Sequence, residues 1–176
     1  MPNWCSNILT VSGPTFYVDR FIDKAKSKDE DDPSPLSLDS LLPVPANKQD
    51  DWYNWCTANW GTKWDVDAII TAENVNGESK SVTYRFDSAW SPPVELISSI
   101  VDDFVNLYFR LAYAEGGMGF IGVAEGDAVD GFMDWCEDCH DYKDFAYRAE
   151  SIGFDGYIES YKDYVAWEAE QTKEQV

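Results

Sequence analysis

The run VDAIITAENVNGESKSVTYRF, residues 66–86, decides how this chain folds. Val66, Ala68 and Ile70 alternate with Asp65, Asp67 and Ile69. Val82, Tyr84 and Phe86 alternate with Ser81, Thr83 and Arg85. A period of two marks a half-buried strand. Between the two halves lies Asn76-Gly77, the strongest short signal for a two-residue turn. The stretch therefore predicts an antiparallel hairpin at the centre of the chain.

Working outward toward the N-terminus, WCSNILTV (residues 4–11) predicts a first strand, ended by Gly13-Pro14. Pro14 suits a helix start. Val18, Phe21, Ile22 and Ala25 then recur at helical spacing, and Lys24, Lys26 and Lys28 load the end that the helix dipole favours for cations. DEDDPSP stops this helix. Residues 29–64 are irregular and rich in tryptophan, with Trp52, Trp55, Trp60 and Trp64 close together.

Working the other way, Ser91-Pro92-Pro93 predicts a second helix start, with serine as the cap. Ile97, Ile100, Val101, Phe104 and Tyr108 form its expected buried stripe. FRLAYAE and GFIGVAEG then read as two strands around Gly116-Gly117-Met118. The order strand, helix, strand, strand, helix, strand, then one more strand, is the split β-α-β pattern of a ferredoxin-like α+β domain with an added hairpin partner. It predicts an antiparallel sheet with two helices on one face, over residues 1–126. Residues 127–176 read as an acidic, mainly helical extension packed on or beside it. In this reading Trp135, Cys139, Tyr142, Ala146 and Ala149 share one helical face.

The composition bounds the function. The chain has 33 acids, 13 bases and a formal net charge of −20. Residues 121–176 hold 15 of those acids against 4 bases. Phosphate binding runs on Lys and Arg, so direct nucleic-acid binding is not expected. No apolar run approaches the ~18 residues of a membrane span. The opening MPNWCSNILTVSG has no basic region before its apolar residues. Both points argue for a cytoplasmic protein with reduced thiols.

Four segments carry a family resemblance: MPNWCSNILTVSG, NWGTKWD (59–65), FDSAWSPP (86–93) and YAEGGMGFIG (113–122). Together they resemble the YubB-type ferredoxin-like domain family of bacteriophages, plasmids and other mobile elements. The resemblance spans roughly residues 1–125. It implies a fold and a genomic setting rather than an activity. It also implies a shared cluster of Asn3, Trp4, Asn59, Trp60, Trp64, Trp90 and Glu115, to which Lys63 adds a polar group.

Three candidate sites follow. The first is an acidic interaction surface of Asp127, Asp130, Asp134, Glu137, Asp138, Asp141 and Asp144. A dense carboxylate surface imitates a phosphate backbone and fits the basic groove of a host nucleic-acid-binding protein. That reading extends to an inhibitor of a defence nuclease or of a CRISPR or restriction complex. The plainer reading is a solubilising surface. The second is a small-ligand or enzymatic cleft built from the tryptophan cluster, Lys63 and Glu115. Against it stands a satellite core pinned by indole N–H bonds.

The third is Cys136, Cys139 and His140, which spell the haem-attachment string C-x-x-C-H. Haem attachment follows export, which the N-terminus does not signal. Zinc would need a fourth ligand such as Cys5 or Cys56. Two thiols on one helical turn is the plainer reading. No nucleophile, zincin or phosphate-loop motif is present, and His140 is the one histidine. A non-enzymatic, cofactor-free protein is expected.

Overall fold

The computed structural model describes residues 3–174, with side chains through residue 170. Met1, Pro2, Gln175 and Val176, at the ends of the opening motif and of the expected extension, lie outside the described residues.

The quoted run forms β2 (Ala68–Asn76) and β3 (Ser79–Ala89), joined across Gly77-Glu78. Gly77 has φ +62, a conformation open to glycine at little steric cost. The register slips once, between Ile70 and Ala72. β1 (Trp4–Pro14) lies beside β3, and the hairpin turn grips the chain that follows it. The Thr15 backbone N–H and hydroxyl both donate to the Glu78 carbonyl, at 2.8 and 3.0 Å.

That contact starts α1 (Thr15–Ala25), which buries Val18, Phe21 and Ala25. The Phe21 ring packs against Tyr84, Phe104 and Phe109 at centroid distances of 6.3, 5.2 and 5.6 Å. Full burial of one such side chain stabilises by about 1.5–3 kcal/mol.

Residues 29–64 contain α2 (Leu38–Leu41) and α3 (Trp52–Asn59), and they pack rather than dangle. The Ser37 hydroxyl caps α2 by accepting from Ser40 N at 3.0 Å. The Asp65 carboxylate accepts from the Ser37 hydroxyl and from the Leu38 backbone, tying the insertion to the start of the hairpin.

The second expected helix is α4 (Val94–Ile100), which tightens into a 3₁₀ turn over Val101–Phe104. Ser91 does not cap it. Its hydroxyl donates to the Gly61 carbonyl instead. Tyr108 is not on this helix either. It opens β4 (Tyr108–Glu115), where pairing with Ser12 of β1 claims its backbone.

The complete sheet is antiparallel and ordered β2-β3-β1-β4-β5-β6, with β5 at Phe120–Asp127 and β6 at Gly131–Asp138. The first four strands have the ferredoxin-like order. β6 corrects the sequence reading. The stretch around Trp135, expected on a helix, is extended, because the free edge of β5 offers backbone partners from Asp127 to Phe120. Residue 126, the expected boundary, therefore falls inside the β5–β6 hairpin.

Only after β6 does the chain become helical, as α5 (Tyr142–Ser151) and α6 (Tyr157–Glu174). α5 lies on the opposite face from α1 and α4. Its Phe145 and Ala149 pack with Ile8, Ala112, Ala114, Ile121 and Phe154. The odd residues Cys5, Leu9 and Val11 of β1 belong to the first core, while Ile8 belongs to the second. Strand alternation thus serves both layers. No helix among the described residues is long and apolar enough to cross a membrane.

Candidate functional site

FDSAWSPP folds into a knot that projects Trp90. Trp90 has φ 69, the one positive φ among described non-glycine residues. Several hydrogen bonds hold it there. Its backbone N–H donates to Asn3 O at 2.9 Å, and the Ser88 hydroxyl donates to Ser91 O at 2.7 Å. The Asn7 amide donates to the Ser88 hydroxyl at 2.9 Å, and the Thr62 hydroxyl to Ala89 O at 3.0 Å. Asn7, Ser88 and Thr62 are all buried, so these bonds form away from competing water. Gly61 completes the knot. It has φ +83, and a Cβ there would collide with the Glu95 carboxylate.

Above this support the aromatic residues line up. Trp64 lies near Trp90 at 6.4 Å with nearly parallel rings, and Trp4 near Trp64 at 6.4 Å. Trp4, Trp64 and Trp90 are 53%, 39% and 41% exposed, so this is a surface platform, not a core. The Lys63 ammonium lies over three rings, 4.3 Å from Trp64, 5.2 Å from Trp90 and 5.4 Å from Tyr53. Tyr53 was not among the residues singled out from sequence. Its place in the WYNW run, between Trp52 and Trp55, was the available signal.

The rest of the expected cleft sits elsewhere. Trp60 is buried, its indole N–H donates to Leu42 O at 2.8 Å, and its ring meets Trp55 edge-on at 5.9 Å. It pins the insertion. Asn59 ends α3 and donates to Trp55 O at 2.8 Å. Glu115 is buried, and its carboxylate accepts from Gly117 N and Met118 N at 2.9 and 2.6 Å, closing the β4–β5 turn. Asn3 joins the two places, since its carbonyl accepts from Trp90 N and its side chain borders Glu115 across Gly117.

The acids that follow residue 126 divide by role. Asp127 closes the β5–β6 turn by accepting from Val129 N and Asp130 N, both at 2.8 Å. Asp134 accepts from the Tyr113 hydroxyl at 2.7 Å. That phenol reaches across β5 only because residue 122 is glycine, since a Cβ there would overlap it. Burial and the Asp134 carboxylate push the Tyr113 phenol far above its usual pKa. Glu137 pairs with Arg148. Asp141 caps α5 by accepting from Asp144 N at 2.8 Å. Asp144 accepts from His140 N and from the Arg148 guanidinium, and these bonds hold its carboxyl below the usual range. Among the described residues, the carboxylates of Asp130 and Asp138 have no hydrogen-bond or ion-pair partner.

β6 and the α3–α4 side enclose an open groove of about 360 Å³, lined by Glu95, Tyr113, Asp134, Cys136 and Asp138. Gly61, Ser91 and Pro92 also line it. Gly61, Ser91 and Pro92 are chain neighbours of Lys63, Trp64 and Trp90, whose own side chains do not line this acidic groove. Glu95, in the first turn of α4, had no sequence signal linking it to β6. A larger cleft, of about 580 Å³, lies between β3 and the α5–α6 turn. It contains none of the other selected side chains. Its polar groups are partly matched to one another, with Arg85 donating to Gly153 O at 2.9 Å and Ser6 to Asp87 at 2.8 Å.

Cys136 and Cys139 do not form a pair on one helical turn. Cys136 is exposed on β6 and lines the groove, whereas Cys139 packs against the second core. Burial, with the Asp144 charge second, raises the Cys139 thiol pKa. Cys5 and Cys56 are buried in the first core, and burial raises both thiols. Among the described residues, no three His, Cys, Asp or Glu side chains group to hold a metal.

No curated protein and no solved structure matches this chain. A family model does match, over residues 59–155, described as the ferredoxin-like domain in Api92-like protein. The matched span runs from the NWGTKWD segment through β6 and α5, more than half of the chain. With the strand order and the two-layer packing already described, the chain belongs to the family of ferredoxin-like domains in Api92-like proteins.

Proposed function

We propose that this is a non-enzymatic accessory protein of a phage or other mobile element, which binds a basic segment of a host protein in the bacterial cytoplasm. The observation that carries the reading is the groove beside β6. Glu95, Asp134 and Asp138 line it, together with Gly61, Ser91 and Pro92, which are chain neighbours of the aromatic platform. Carboxylates attract Lys and Arg, and aromatic faces stack with guanidinium groups. The net charge of −20 steers a basic partner toward it from a distance. A host enzyme that grips nucleic acid through such a segment would be blocked while bound, which makes a defence nuclease or a CRISPR or restriction complex the fitting target class.

The test is capture of partners from bacterial lysate on the immobilised protein, eluted by a salt gradient. Wild type and Asp134→Asn/Asp138→Asn are compared. A nucleic-acid-binding enzyme retained by wild type, released by moderate salt and lost by the variant is the expected result. Equal retention by both proteins sinks the proposal.

A second reading, small-ligand binding or catalysis at the tryptophan cluster, is favoured by the exposure of Trp4, Trp64 and Trp90. A metabolite screen by thermal shift, with Trp64→Ala as control, separates it from protein docking.

A further inference from the structure

We propose that Tyr53, Trp64 and Trp90 form a receptor for an arginine side chain, and that Lys63 is its resident and displaceable occupant. This rests on the docking function above and names the chemistry by which the partner is held. The inference starts from where the Lys63 ammonium lies. It stands within 5.4 Å of three ring centroids, nearest to Trp64 at 4.3 Å. That is the arrangement by which aromatic boxes hold cations. The molecule has 33 acids against 13 bases, yet no described carboxylate pairs with Lys63. Its charge is therefore left to the rings.

The box is built before any partner arrives. Trp90 is set by the left-handed backbone and the Asn3, Ser88 and Thr62 bonds. Trp64 is followed by Asp65, whose carboxylate accepts from Ser37 and from the Leu38 and Val66 backbones. Lys63 is partly buried and, among the described residues, makes no hydrogen bond or ion pair that would tie it to the rings. The rings are half-exposed, and a cation held on exposed aromatic faces gains only a little from them. A guanidinium is planar and less strongly hydrated, and it stacks on indole faces better than an ammonium does. It would win the box while flanking basic residues meet Glu95, Asp134 and Asp138 in the groove that Gly61, Ser91 and Pro92 also line. Until then Lys63 competes from within the chain, and a site that is mostly occupied binds with reduced apparent affinity.

The experiment titrates the full chain with N-acetyl-arginine amide and, separately, with an oligo-arginine peptide. Tryptophan fluorescence and indole N–H shifts are read for wild type, Lys63→Ala, Trp64→Leu, Tyr53→Leu and Asp134→Asn/Asp138→Asn. Lys63→Ala is expected to bind arginine amide about fivefold more tightly than wild type. Trp64→Leu and Tyr53→Leu are expected to lose that binding while keeping the wild-type circular dichroism spectrum. Unchanged or weaker arginine binding in Lys63→Ala overturns the inference. So does an oligo-arginine affinity that falls in the Asp134/Asp138 variant but ignores Trp64→Leu, and in that case the docking function survives. Arginine amide that tightens in Lys63→Ala, beside peptide binding indifferent to Asp134 and Asp138, upholds the box and sinks the groove reading.

Discussion

At the scale of single residues, the tryptophans separate into two kinds that composition treats alike. Trp60 is buried with its indole N–H bonded, while Trp90 stands out on a strained backbone. A non-glycine residue in the left-handed region costs roughly 1–2 kcal/mol. Trp90→Gly and Trp90→Ala both lose the ring, but only glycine relieves the strain. Trp90→Gly should be the more stable by about 1 kcal/mol in urea unfolding. Asp144 offers a second test. The His140 N–H and the Arg148 guanidinium depress its folded pKa. Its contribution is therefore complete above the unfolded value of about 3.9 and is lost as pH falls through the folded value. The difference in Tm between wild type and Asp144→Asn should be present at neutral pH and vanish under acid. The thiols give a third test. Cys136 is exposed, Cys139 half-covered, and Cys5 and Cys56 buried. A thiol reagent should modify Cys136 fast, Cys139 slowly and the other two only on unfolding.

At the scale of elements, the helix expected around Trp135 and the strand found there differ for a reason that periodicity does not contain. Residues 131–138 read GFMDWCED, with exposure on both faces and no apolar stripe of either period. The choice was made by the open edge of β5, whose backbone groups need partners. Asp127 closes the turn that leads into β6, and Gly131 has φ +89 there. α5 depends on the sheet in the same way. Phe145 is buried against Ile8, Ala114 and Ile121 on the face away from α1. Phe145→Ala should cost about 3–5 kcal/mol. Hydrogen exchange should show α5 opening ahead of β1 and β3, since their other face keeps the first core.

At the scale of the whole molecule, charge and layers decide. Twenty net negative charges repel one another across a compact body. Raising sodium chloride from roughly 20 mM to 0.5 M shortens the Debye length to a few ångströms. The Tm should rise by roughly 2–4 °C, the equivalent of about 1 kcal/mol for a chain of this size. A flat or falling Tm would mean that local pairs such as Lys80 with Asp19 and Glu73 outweigh the net field. The hairpin at Asn76-Gly77, α1, the four-strand ferredoxin-like order and the acidic balance were all legible in the sequence, because each rests on local spacing or on a count. Tertiary structure alone decided that β6 joins the sheet, that α5 covers its second face, and that Glu95 meets Asp134 and Asp138 across one groove. It also parted Trp60 from Trp64 and Trp90, residues only a few positions or one motif away. Pairing at a free edge and burial against a distant strand depend on which surfaces remain uncovered once the rest of the chain has folded, and neighbours in sequence carry no record of that.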